Sequence, residues 1–146
     1  MKKTIFCILL IVIAYLPAMA QEGLNVAPFF SDNYAEQPSV TLVNMSYDKL
    51  KQGGVKKYKS ISVSDNPSLA DKIKRAVTKD GASAESKEVS YREGDLYFGF
   101  YSMGGKKTSR RYLLYLNRRP KGIEKTTLIY IEGDLDEKAV KSMIKQ

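Results

Sequence analysis

The chain has 146 residues, with 24 Lys plus Arg against 16 Asp plus Glu, no His, no Trp and one Cys. Without histidine there is no Ser-His-Asp or Cys-His machinery and no zinc site built on histidine. A single cysteine closes no internal disulfide, so stability has to come from an apolar core.

Residues 1–20 read as an export leader. Lys2 and Lys3 form a short positive stretch, Thr4 to Leu16 an uncharged apolar one, and Pro17 breaks it. Ala18-Met19-Ala20 supplies the small residues that signal peptidase needs, so cleavage is expected between Ala20 and Gln21. The apolar run is shorter than the roughly 20 residues of a membrane-spanning helix. No integral membrane span is expected once the leader is gone. Cys7 lies inside the leader and away from the cleavage point, which argues against lipidation. Residues 21–146 are expected to form one domain, periplasmic or secreted. Loss of Lys2 and Lys3 takes two charges off the net +8. A moderately basic exported domain suits an acidic partner or an anionic envelope surface, and export argues against nucleic acid.

Gln21 to Gln37 is a polar lead-in with a cluster at Val26, Phe29, Phe30 and Tyr34. Pro28 suits the first turn of a short helix, an extended arm being the alternative. Ser39 to Met45 alternates and reads as the first strand. Tyr47 to Lys51 reads as one helical turn, stopped by Gly53-Gly54. Tyr58 to Ser64 is a second strand. Asp65-Asn66-Pro67 then has the form of a helix start, followed by one apolar stripe at Leu69, Ile73, Ala76 and Val77 that Gly81 ends.

Lys87 to Arg92 and Leu96 to Met103 are the next strands. Leu96, Phe98 and Phe100 share one face of the second, and Tyr97 and Tyr101 the other. Gly104-Gly105 is a turn, Arg110 to Asn117 a strand, Pro120 to Gly122 a turn, and Thr126 to Glu132 the last strand. Asp134 opens a closing helix with an apolar stripe at Leu135, Ala139, Val140, Met143 and Ile144. Asp134 and Glu137 have the spacing of a capping box. Strands joined by short turns make an antiparallel meander, and its apolar face needs a cover. The expected fold is α+β: a two-layer sandwich, with an antiparallel sheet of five or six strands and two main helices on one face.

Val40 to Leu50, the helix Pro67 to Val77 and the strand-into-helix run Leu128 to Leu135 resemble domain-of-unknown-function families of small exported Bacteroidetes proteins. The resemblance spans nearly all of residues 21–146. It implies an envelope location and no assigned activity or catalytic residue. Relatives of this type look like companions of sigma-factor and anti-sigma systems.

Carboxylate, Tyr, Lys and Ser chemistry remains. Glu132, Asp134, Asp136 and Glu137 crowd one stretch, but helix capping and macrodipole complementarity account for acids there. The stretch lacks the ligand pattern of a calcium loop. No metal or other cofactor is expected. Gly104-Gly105-Lys106-Lys107-Thr108 is not a phosphate loop, because Phe100 stands where that pattern needs glycine.

Two surfaces are candidates for contact. Lys106, Lys107, Arg110, Arg111, Arg118, Arg119, Lys121 and Lys125 gather around one strand, with Glu124 the sole acid among them. They are expected as two patches roughly 25 Å apart at the strand's ends. Each suits phosphate groups or an acidic protein, and each equally suits a solvated sheet rim. Tyr97, Tyr101, Tyr115 and Tyr130 are expected on an open sheet face, a docking or dimerisation surface if not cross-strand packing.

The leading expectation is a non-enzymatic binding module for an envelope protein or anionic surface. A small-ligand or lipid carrier, with a pocket between helices and sheet, is the alternative. A small hydrolase using Asp134 and Asp136 comes third.

Overall fold

The computed structural model describes residues 23–46 and 54–145. The leader, its cleavage point at Ala20 and Gln21, and the helical turn expected over 47–51 lie outside the described residues.

Six strands form one sheet: β1 (Val40–Ser46), β2 (Val55–Ser64), β3 (Ser86–Arg92), β4 (Asp95–Lys106), β5 (Ser109–Arg118) and β6 (Lys125–Gly133). Their order is β1-β2-β6-β5-β4-β3, and every neighbouring pair is antiparallel. Two helices accompany the sheet, α1 (Pro67–Gly81) and α2 (Glu137–Ile144). The lead-in forms two 3-10 turns, Ala27–Phe30 and Asp32–Tyr34, with Pro28 in the first turn as its fixed φ favours.

α1 starts where its sequence says it should. Asn66 caps it, its Oδ1 accepting from Leu69 N at 3.2 Å, and Pro67 takes a first-turn position that needs no N–H. Leu69, Ile73 and Val77 fall on one stripe and are buried. Burial of each contributes about 2 kcal/mol. α2 starts two residues later than its sequence implies. Asp136, not Asp134, is the cap, its Oδ1 accepting from Ala139 N at 2.8 Å. Glu137 is not turned back to close a capping box; it accepts from Ser86 Oγ and pairs with Lys141.

Successive residues on a strand point to opposite faces, and in β5 both faces are apolar. Leu113 and Tyr115 join Ile61, Tyr101 and Leu128 in one core, which α1 covers together with Val26, Phe29 and Phe30 of the lead-in. Tyr112 and Leu114 join Phe100 and Ile131 in a second core, which Leu135 and Val140 cover from α2 and its approach. The register fixes this split, since Tyr112 opposes Ile131 and Leu113 opposes Tyr130. The α+β class, the antiparallel sheet and the two helices match the expectation. The helices lie on opposite faces of the sheet instead of sharing one. The run Tyr112-Leu113-Leu114-Tyr115-Leu116 is apolar at every position, as a strand covered on both sides must be.

Tyr101 shows how closely the first core is fitted. A Cβ on Gly99 would come within 2.6 Å of the Tyr101 ring, and one on Gly81 would also collide with it. Two absent side chains make the slot for one aromatic ring. Gly104 (φ 75°) and Gly105 (φ 120°) carry the positive φ expected of a hairpin. They sit inside β4 at an irregularity in its pairing with β5, just before the turn at Lys107-Thr108. Among the described residues no helix is long and apolar enough to cross a membrane.

Candidate functional site

β5 carries cations at both ends, and the register separates them. Arg110 and Arg111 lie opposite Gly133 and Glu132, whereas Arg118 lies opposite Lys125. The eight steps from Arg110 to Arg118 span about 26 Å at ~3.3 Å per residue. The two patches expected from sequence therefore occupy opposite ends of the sheet.

The end near the β4–β5 turn is knitted into the fold. Lys106 and Lys107 are exposed, while Arg110 and Arg111 are half-buried. Lys56 Nζ donates to Thr108 O at 2.6 Å, tying β2 to the turn. Arg111, Lys57 and Lys59 line a cleft of about 380 Å³ with Tyr130 and Glu132 under the lead-in. Glu132 accepts from Tyr130 Oη at 2.8 Å and faces Lys57 at 3.9 Å. Burial, with the Glu132 carboxylate beside it, pushes the Tyr130 phenol well above its ordinary range.

The other end is different. Arg118, Arg119, Lys121 and Lys125 are all exposed. Among the described residues no acid lies within ion-pair distance of any of them. Arg118 and Lys125 are directly opposite on neighbouring strands, and like charges so placed repel. Between them the chain turns through Pro120–Gly122, where Lys121 adopts φ 55°. Some surface charges elsewhere are matched, though Lys106 and Lys107 at the other end of β5 are in no ion pair among the described residues either. Asp71 pairs with Arg75 and Lys74, Lys74 with Asp95, and Lys141 with Glu137 and Glu88.

Beside this end a cleft of about 500 Å³ opens between the first turns of α1, the β3–β4 turn with the start of β4, and the end of β5 with the loop that follows it. Charged groups dominate its walls, among them Lys74, Arg92, Asp95, Arg119 and Glu124. Tyr115 lines it, and its buried Oη lies beside Asn117 and Thr126. Burial pushes the Tyr115 phenol up, and hydrogen bonding with Asn117, the charge of Lys74 and hydrogen bonding with Thr126 oppose the rise.

The tyrosines expected on an open face are mostly inside. Tyr101 is 3% exposed and Tyr115 0%. Tyr130 is half-buried against the same core, and Tyr97 is half-buried with the Arg92 guanidinium 4.2 Å over its ring. The open tyrosine face does not exist, because α1 and the lead-in cover it. The acids of the last turn are also dispersed. Asp136 caps α2, Glu137 pairs with Lys141, and Glu132 holds Tyr130. Among the described residues no three side chains gather in a way that could hold a metal ion.

Asp80 is a polar residue that sequence reasoning missed. It is buried, and its carboxylate accepts from Asn25 N and Nδ2 at 2.8 Å each and from Val26 N at 3.0 Å. The signal was its place in the last turn of α1, where the helix dipole disfavours an acid.

A family of unknown function (DUF6108) matches residues 13–144. The chain belongs to the DUF6108 family. No curated protein and no solved structure matches it. For this DUF6108 member, function has to be read from its own surfaces.

Proposed function

We propose that this protein is a non-enzymatic, exported binding domain, and that the β5–β6 end carries its contact with an anionic envelope partner. The observation behind the reading is the directly opposed, unpaired Arg118 and Lys125. Repulsion between them is a standing cost, and a partner's phosphate or carboxylate groups relieve it. Arg119 and Lys121 widen the same patch. Two arginines favour planar, bidentate recognition of oxyanions over a diffuse cloud of charge. The β4–β5 end suits the role less well, since its arginines are half-buried within the fold.

The test is charge reversal in two pairs, followed by crosslinked capture from envelope extract. Arg118→Glu with Arg119→Glu should abolish capture and leave the unfolding midpoint nearly unchanged, because both side chains are exposed. Arg110→Glu with Arg111→Glu serves as the comparison and should retain most of it. Capture that survives the first pair and fails with the second would move the contact to the other end of the sheet. Capture unaffected by either pair would end the electrostatic reading.

The charged walls of the larger cleft weigh against the lipid carrier. An acyl chain placed there would be surrounded by Lys74, Arg92, Asp95, Arg119 and Glu124.

A further inference from the structure

The two edges of the sheet are not alike. β1 is partly sheltered, and the Phe30 carbonyl of the lead-in accepts from its Asn44 Nδ2. β3 is exposed at every position from Ser86 to Arg92, and among the described residues no strand pairs with its outer side. A strand left so presents a row of backbone N–H and C=O groups that can template another strand. Native edges often prevent this with a bulge. β3 has none of its own: the irregularity in its pairing falls between Ser90–Phe98 and Tyr91–Leu96, so the extra residue is Tyr97 of β4. Val89 and Tyr91, 36% and 66% exposed, also place two large apolar side chains on this edge.

The side chains of β3 decide what it can pair with. A two-fold axis makes an antiparallel edge pair by setting one residue opposite itself. With Ser90 on the axis, Val89 of one copy meets Tyr91 of the other and Glu88 meets Arg92. Lys87 meets Glu93, the first residue of the β3–β4 turn. Symmetry makes each contact twice. Aromatic–β-branched pairs and opposite charges are the cross-strand neighbours that stabilise sheets. Glu88 already holds Lys141 at 2.8 Å and Arg92 lies over Tyr97, but Lys87 and Glu93 have no ion pair among the described residues. Other registers lose the match. An axis at Val89 sets Lys87 against Tyr91, one at Tyr91 sets Val89 against Glu93, and one at Glu88 opposes two carboxylates. The charges thus admit one register of self-pairing and disfavour unrelated strands.

We infer that β3 is a self-association edge: two copies of this chain pair antiparallel about Ser90, and the six-stranded sheet continues into that of the second copy. One short strand buries less than a standard stable interface, so the dimer is weak and forms as concentration rises. The inference does not rest on the basic β5–β6 end.

Sedimentation velocity from micromolar to millimolar protein tests this, and should show a reversible monomer–dimer equilibrium. Lys87→Glu should weaken the dimer by about tenfold or more, because two attractive contacts become repulsive. Adding Glu93→Lys restores opposite charges and should return the affinity to within about threefold of wild type. Both positions are exposed, so the urea midpoint should hardly move. Oxidative crosslinking in a Cys7→Ser background reads the register. Ser90→Cys should give a disulfide-linked dimer. Val89→Cys should not, because the two copies of that position lie two residues out of register, beyond the reach of a disulfide. A chain that stays monomeric throughout that range overturns the inference. So does a dimer indifferent to Lys87→Glu, or one that crosslinks through Val89→Cys in preference to Ser90→Cys.

Discussion

Asp80→Ala should cost about 3–4 kcal/mol of stability. The carboxylate takes three hydrogen bonds at 2.8–3.0 Å, two from backbone amides and one from a side-chain amide. Hydrogen bonds to a charged acceptor contribute about 1.5–3 kcal/mol each, but the three share one group and do not add in full. Truncation also strands the N–H of Val26, a residue that is 0% exposed. For a domain of this size such a loss lowers the unfolding temperature by about 12–15 °C. Asp80→Asn keeps one acceptor oxygen but turns an NH₂ group toward donors, and should fall between wild type and the alanine variant. Urea unfolding followed by circular dichroism reads both, with an unchanged slope showing that the same surface unfolds. Limited proteolysis adds the local view. Cleavage within residues 23–37 should accelerate more than cleavage elsewhere, because the carboxylate is what pins that segment to α1. A loss under about 1 kcal/mol, with no change in cleavage, would refute the view that Asp80 anchors the lead-in.

Alkaline pH should unfold the protein through its buried phenols. Burial pushes Tyr101 up to about 12, with Tyr115 and Tyr130 also raised. The folded state holds these protons more tightly than the unfolded chain, whose tyrosines ionise near 10. Their stabilising share is thus complete below about pH 10 and is lost as pH climbs toward 12, with Tyr101 alone giving up about 2–3 kcal/mol. Phenolate absorbance should show a late group rising together with unfolding; complete ionisation of the tyrosines by about pH 10 in a still-folded protein would contradict this. Gly99→Ala should destabilise by about 2 kcal/mol, since the new methyl group meets the Tyr101 ring, and adding Tyr101→Leu should recover part of it in urea melts. Asn66→Ala should cost about 1 kcal/mol through the lost cap on α1, measured in the same way.

Much of the fold is legible in the sequence because local chemistry and tertiary structure agree there. The Asn66-Pro67 start, the stripe at Leu69, Ile73 and Val77, and the alternation of β1 each say locally what the fold does, whereas in β4 Leu96 packs with Tyr101 and not with Phe98 and Phe100 as its alternation implied. Disagreement arises where a residue's partner is remote. Tyr101 looks like half of an exposed aromatic ladder until Gly81, at the far end of α1, supplies the slot for its ring. Asp134 looks like a helix cap until Asp136, two residues on, takes that place. The cations of residues 106–125 were visible as a cluster, and their division between two ends followed from strand length. Which end keeps its arginines exposed did not, because burial depends on which strands and loops become neighbours. Asp80 left a trace only as an acid against its own helix dipole.

The place of β6 in the sheet shapes the route by which the chain folds. The sixth strand in sequence lies between β2 and β5, deep in the sheet. The β1–β2 hairpin and the β3–β4–β5 meander can each form early from near neighbours in sequence. They have no shared border until β6 arrives to join them, with Ile61 meeting Leu128 across more than sixty residues of chain. Closure of so long a loop is slow and comes late. A chain emerging from its N-terminal end therefore holds two open sheet fragments, and its cooperative native state appears only when the β6 segment has followed.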